Sequence, residues 1–504
     1  MLAPVAHAQS LQTVAERTEY KATSKYADVV AFCEAIAKRG PNAKLSYFGT
    51  SQEGRKLPLL VVSDPPVASA EEATKAGKVV VLVFANIHAG EVDGKEAVLA
   101  IARDLSEKKG HFLLKDLVIL LAPIFNADGN EKFATTNRPG QNGPMETGIR
   151  ANAQGFDLNR DFVKLESPEV RALVKLLNVW DPAMVIDCHT TNGSKHRYTL
   201  TYDGPRYPTT ETAPAEWAST VLFPEVARKV KATTGFDIAP YGNFNIDRTK
   251  WETYPSTPRF GVQYFALRGK IGVLSESYTY ASFADRVKAS YAFVTACLEV
   301  AAEKHADLAK AATPLPTKRI ELRTRTEAFP EKVSIKGFEE ETRGGKRVAT
   351  QRPKEYPLDY VGRVTAVEAV ELPFAYLFGP ANTSVVENLQ RHGIKVEEIR
   401  EDIDLHVEAY RAASVETSPR AFQKHHLTTI EVSKQSESRR IPAGTMIVRT
   451  AQPLGPLAGY LLEPRSEDGL AAWGFFNDQL KPGSEFPVLR LQKSYPLAAG
   501  DASP

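Results

Sequence analysis

Four short stretches of this chain carry residue types that could gather around one metal ion. In Asn86-Ile-His-Ala-Gly-Glu-Val-Asp-Gly94, His88 and Glu91 stand three residues apart. Asp157-Leu-Asn-Arg160, Asp187-Cys-His189 and Ser275-Glu276-Ser277 follow in that order. Two imidazoles and a carboxylate make a catalytic zinc site, in which three protein ligands leave a fourth position for water. His88 and Glu91 can face one ion if their segment is a tight turn entering a helix, and His189 brings the third ligand from a distant segment. Asp157-Leu-Asn-Arg160 joins a carboxylate, an amide and a guanidinium. A guanidinium grips a carboxylate through two parallel hydrogen bonds and an amide adds a directional one, which is what capture of a free C-terminal carboxylate requires. Each stretch alone has an ordinary reading: a histidine near a core strand, an Asx turn with a surface ion pair, an exposed glutamate. Their company and order argue for a site.

The elements that must position these residues alternate. Val79 to Phe84 is an unbroken apolar run, as in a strand buried on both faces, and Leu117 to Ile124 reads as another buried strand. Leu45 to Gly49, Leu57 to Val62, Ala183 to Ile186 and Ile271 to Leu274 also read as strands. Helices are expected over 26–38, 91–105, 168–177, 217–233 (interrupted at Pro224) and 283–312, with Ser167 capping the third and Pro168 at its first position. The pattern predicts an α/β domain whose mixed, mainly parallel sheet is flanked by helices. Ligands of such sheets bind beyond the carboxyl ends of the strands, and His88, His189 and Glu276 each fall just past one. Asp187 shares a face with His189 if the segment is extended; it is either a partner of that histidine or a strand-end cap.

This constellation resembles the M14 family of zinc metallocarboxypeptidases, the carboxypeptidase A superfamily, over roughly residues 20–310. The resemblance implies one zinc ion on His88, Glu91 and His189, and the hydrolysis of a C-terminal peptide bond. The Asp157 to Phe162 stretch matches the family's DLNRNF segment, with Asp161 in place of the second Asn. By that match Asn159 and Arg160 bind the terminal carboxylate, and Asp157 orients a zinc-bound histidine. Arg150-Ala-Asn152 fits a pair seen in bacterial members, so Arg150 stabilises the oxyanion; Arg138 is the second choice or a further substrate contact. Asn126-Ala-Asp-Gly129 resembles the family's NPDG, with Ala127 replacing Pro. Glu276 takes the place of the general base, and Tyr254 that of the family's mobile tyrosine, with Tyr241 and Tyr264 competing. The residue that selects the substrate's last side chain is expected between Tyr254 and Gly269. An amidohydrolase of the same superfamily, acting on N-acyl amino acids or cell-wall peptides, shares most of these motifs. A non-catalytic binding protein is a third reading, though every expected residue has a candidate here.

Composition narrows the remaining classes. Of 504 residues, 43% are hydrophobic and 25% charged, and the formal net charge is +2, too balanced for a nucleic-acid or membrane-surface partner. No apolar run is long enough to span a membrane. The resemblance implies a peptide or peptidoglycan-like substrate. Cys33, Cys188 and Cys297 are scattered and odd in number, which argues against a disulfide framework. Ala6-His7-Ala8 has the A-x-A pattern of a secretory cleavage site, so residues 1–19 read as an N-terminal segment with a signal-like remnant, and the expected location is extracytoplasmic. The catalytic domain is expected over 20–312, a Pro-rich linker over 313–318, and a smaller β-rich or mixed domain over 319–504. Its expected elements are short strands at 319–325, 332–335, 363–370, 394–399, 428–432 and 445–450, with a helix over 385–393. His425-His426 reads as a solvated pair.

Overall fold

The computed structural model describes residues 11–107, 109–206, 213–313, 317–344 and 346–502. Ala6-His7-Ala8 and the middle of the linker lie outside them. Among the described residues, the first three fifths of the chain forms ten strands: β1 (Ala43–Thr50), β2 (Lys56–Val62), β3 (Val79–Ala85), β4 (Leu117–Ala122), β5 (Met184–Thr190), β6 (Leu200–Asp203), β7 (Ile238–Pro240), β8 (Asn243–Phe244), β9 (Lys250–Glu252) and β10 (Ile271–Ser277). Eight of them build one sheet in the order β1-β2-β4-β3-β5-β10-β6-β7. The central strands β4, β3, β5 and β10 run parallel, whereas β1, β2 and β6 introduce antiparallel pairs toward the edges. The chain leaves β3 for β4 on one side and reaches β5 on the other. The crevice at that change of direction is where open α/β sheets bind ligands.

The period of two in β3 explains both of its buried faces. Val81, Val83 and Ala85 enter a core with the helices Tyr26–Arg39, Asp93–Glu107 and Phe283–Glu303. Val80, Leu82 and Phe84 enter a second core with the helices Pro168–Trp180 and Gly261–Leu267. That second core continues without a break into the C-terminal part of the chain, taking in Ile320, Tyr376, Leu389, Tyr460 and Trp473. Polar bonds cross the same junction. The Asn388 amide donates to the carbonyls of Val163 and Lys164, and His392 joins the Tyr264 hydroxyl to the Val163 carbonyl.

The C-terminal part contains two long strands, β11 (Arg319–Arg343) and β12 (Lys346–Glu371), paired as an antiparallel ribbon. β9 adds to β12 in parallel, so a catalytic-domain segment becomes part of the ribbon's sheet. The remaining strands, β13 (Ala375–Phe378), β14 (Glu397–Ile399), β15 (Ile403–Thr417), β16 (Thr428–Ile441), β17 (Met446–Arg449), β18 (Val488–Leu491) and β19 (Ala499–Asp501), form a seven-stranded sheet. The short strands expected over 319–370 are thus pieces of two continuous ones. Their mostly exposed, charged middles lack the apolar alternation that marks a half-buried strand. The helix expected over 283–312 is two helices, ending at Glu303 and restarting at His305. Pro224 does not break the 217–233 helix. A π-helical stretch over Ala218–Leu222 joins the helices Ala213–Trp217 and Phe223–Thr234, and Pro224 is the second residue of the latter. No helix among the described residues is long and apolar enough to cross a membrane.

Candidate metal and substrate site

The site begins where β3 ends. Asn86 takes a left-handed conformation (φ 68°), which asparagine tolerates better than most residues, and turns the chain out of the strand. Its amide donates to the carbonyls of Ala89 and Glu91, and Glu91 N–H bonds back to the His88 carbonyl. His88 and Glu91 are therefore fixed in a turn ahead of a helix that starts at Asp93, not at Glu91 as expected. Gly94 allows this helix to lie against β5: a Cβ there would stand 2.4 Å from the Cβ of Cys188. Cys188 faces the helix, and His189 faces the opposite side. All three cysteines are buried and free.

His88, Glu91 and His189 converge. Their potential ligand atoms lie within 4.8 Å of one another, and all three side chains are buried. His88 Nδ1 is 3.1 Å from one Glu91 oxygen, His189 Nδ1 is 2.9 Å from the other, and the two imidazole nitrogens are 3.2 Å apart. Ligands of a tetrahedral zinc at about 2.0–2.1 Å sit roughly 3.3 Å from each other, so the spacing and the donor types both fit that ion. The far nitrogens are also held. Asp157 Oδ1 is 3.0 Å from His88 Nε2, and Asp187 Oδ2 is 2.8 Å from His189 Nε2. Burial disfavours its charge, yet His88 and Arg138 hold the Glu91 carboxyl well below its ordinary range. Asp157, despite burial, is likewise held low by His88, Arg150 and Arg160.

Glu276 stands on β10 in register with His189 on β5. One of its carboxylate oxygens is buried without a hydrogen-bond partner among the described residues, and burial pushes the carboxyl up to about 8. The strand ends are tied together by a residue that sequence reasoning missed. Asp93 accepts bonds from Thr190 and Ser277, which follow His189 and Glu276, and pairs with the buried Arg286 at 2.8 Å. Asp93 lies within the first motif, but its partners are scattered, and no spacing marks them.

Arginines ring a cleft of about 570 Å³ in front of these groups. Arg138 reaches Glu91 at 3.2 Å and donates to the carbonyls of Thr190 and Thr191. Arg150 donates to Asp157 through Nε at 2.9 Å, with its Nη1 3.2 Å from His88 Nδ1. Asn159 sits in a 3₁₀ turn capped by Asp157, and its side-chain amide oxygen Oδ1 accepts from Gly261 N–H at 2.8 Å. Arg160 stacks on Phe260, 4.1 Å from the ring centre. Tyr254 and Tyr241 both line the cleft, as do Val262 and Leu274. The Tyr254 ring packs against Arg206, which pairs with Asp203 at 2.8 Å. Tyr264, by contrast, is buried in the second core and bonded to His392, away from the cleft. His425 is not a free solvated group: its Nε2 lies 2.8 Å from Glu166.

The sequence model of the zinc carboxypeptidase family matches residues 29–235, a span that contains His88, Glu91, Asn159, Arg160 and His189 but stops short of Glu276. Carboxypeptidase 2 of Trichophyton tonsurans is 24% identical over 472 residues, covering 88% of this chain and 81% of its own. Carboxypeptidase D of Mus musculus is 32% identical over 168 residues, which is 28% of this chain and 12% of that protein. Among solved structures, carboxypeptidase A from Helicoverpa armigera overlays with a TM-score of 0.42 at 17% identity, over 57% of this chain and 73% of its own.

Proposed function

We infer from a catalytic domain that belongs to the M14 zinc carboxypeptidase family that this protein is a metallocarboxypeptidase, hydrolysing the last peptide bond of a peptide or peptide-like substrate. The observation that carries the reading is the convergence of His88, Glu91 and His189, from far-apart stretches, on one point at the carboxyl end of the parallel strands. Two imidazoles and a carboxylate would hold zinc, which when bound supplies an activated water and polarises the scissile carbonyl.

The protein's own groups divide the remaining work. Asn159 and Arg160 fix the substrate's terminal carboxylate, so that the adjacent peptide bond meets the metal. Phe260 supports the Arg160 guanidinium, whose centre lies 4.1 Å from the ring centre, and so limits where it can point. Glu276 takes the proton of the attacking water and passes it to the leaving amine; a carboxyl raised toward neutrality by burial is suited to both transfers. Arg150, at the mouth of the metal site, stabilises the charge that develops on the carbonyl oxygen. Arg138 pairs with Glu91 and borders the substrate path. Tyr254 lines the same cleft as Asn159 and Arg160. An extracytoplasmic location belongs to the same proposal, resting on the Ala6-His7-Ala8 pattern.

Digestion of a peptide library with and without chelator, read by mass spectrometry, tests the reading. Loss of single C-terminal residues that stops on chelation is expected. Internal cleavage, turnover of N-acyl amino acids but not peptides, or indifference to chelator would contradict it.

A further inference from the structure

We propose that Gln423, supplied by the C-terminal part of the chain, is a positioning residue for the metal centre, acting through Asp157 on His88. The proposal rests on the metallocarboxypeptidase reading above. Gln423 lies in the loop between β15 and β16, whose tip reaches back to the catalytic sheet. Its side-chain carbonyl oxygen accepts a hydrogen bond from the Asp157 backbone N–H at 2.9 Å. Asp157 is the group on which the site's supports meet. One carboxylate oxygen holds His88 Nε2 and caps Asn159 N–H, and the other takes Arg150. Fixing the main chain of residue 157 fixes the direction from which that carboxylate reaches the imidazole. The His88 ring orientation, and with it Nδ1, follows.

The loop tip gives an independent reason. Phe422 and His425 close a two-residue turn by exchanging backbone hydrogen bonds. Gln423 and Lys424 occupy its centre with φ of 49° and 67°. A turn with both central residues left-handed favours Asn-Gly, because side chains with a Cβ are strained there. This chain spends two long side chains at that place, and both are committed to the catalytic loop. Gln423 holds Asp157, and Lys424 donates to the Gln154 carbonyl while lying over Phe156. The feet of the loop are anchored too, His425 on Glu166 and Phe422 against Trp473 and Arg259. Local backbone strain that persists because the surroundings over-determine it is a mark of a functional position.

Three variants of the full-length protein test the role: Gln423→Met, which keeps the shape and removes the acceptor; Gln423→Glu, which keeps an acceptor of the same reach; and Lys424→Met, which removes the neighbouring contact to the same loop. Two readouts are needed, the rate at which zinc is lost to a chromogenic chelator and the steady-state kinetics on a C-terminal peptide substrate. Gln423→Met should release zinc about tenfold faster and lower kcat by a similar factor with little change in KM, Gln423→Glu should recover most of both, and Lys424→Met should leave both within twofold of the wild type. A Gln423→Met protein that keeps zinc and kcat like the wild type overturns the proposal while leaving the peptidase reading intact, and so does a Lys424→Met protein that fails to the same degree. A wild-type protein that binds no zinc and cleaves no peptide overturns both.

Discussion

Two buried histidine clusters in this molecule have opposite characters. His392, at the junction with the C-terminal part, has each ring nitrogen answered: Tyr264 hydroxyl on one side and the Val163 carbonyl on the other, with Arg268 joining the same network. His88 and His189 are as deeply buried, yet each points a nitrogen at the other and shares one glutamate. Buried polar groups are normally satisfied within the protein. Here two imidazole nitrogens and a shared carboxylate face one common point, a donor set that could hold a metal ion. Burial pushes His392 down to about 3, as befits a neutral imidazole in a core, whereas His189, despite burial, is pushed well up by Asp187 and Glu91. One cluster is bonded into the fold, and the other gathers the donor types of a metal site.

Substitutions in the two regions should separate those roles. The largest effect is expected at Glu276. Glu276→Gln keeps the shape and loses the base, so kcat should fall about a thousandfold while zinc stays bound; activity within tenfold of the wild type would remove Glu276 from the chemistry. Arg160→Ala should lower kcat/KM about thirtyfold on peptides with a free carboxylate, mostly through KM, because a charge-assisted hydrogen-bond pair is lost. Amidated peptides, poor substrates already, should lose no more, and an equal loss on both would count against the anchor. At the other cluster, His392→Leu should leave kcat and KM unchanged but cost about 3 kcal/mol of stability, since the Tyr264 hydroxyl and the Val163 carbonyl lose their partner. The pH dependence has a definite sign. Below the unfolded histidine pKa of about 6.5, the unfolded chain takes up a proton that buried His392 refuses until about pH 3. His392 therefore contributes stability that is present above 6.5 and is lost as the pH falls from there toward 3. The wild-type Tm should drop more steeply over that range than that of His392→Leu; parallel curves would show that His392 does not set the dependence.

The same contrast explains how much could be read in the sequence. The converging residues His88, Glu91 and His189 were legible because they follow short apolar runs and lie within motifs a few residues long. The supporting contacts were not. Gln423 touches Asp157 across 266 positions, Arg286 meets Asp93 across 193, and neither pair leaves a local pattern. The central sheet was legible from β3 and β4, whose unbroken apolar runs belong to strands buried on both faces. The ribbon of β11 and β12 was not, because its exposed middle is held by cross-strand pairing instead of a buried stripe. The C-terminal part read as a separate unit because its composition changes after the linker. The core it shares with the catalytic helices, through residues such as Leu389 and Tyr460, is written on both sides in residues that look like ordinary core.

Anomalous diffraction at the zinc edge, from crystals of the protein as purified, tests the convergence most directly. A single strong peak about 2 Å from His88 Nδ1, His189 Nδ1 and a Glu91 oxygen is the expected result. A map with no peak among these three side chains, or with the metal bound elsewhere, would contradict it.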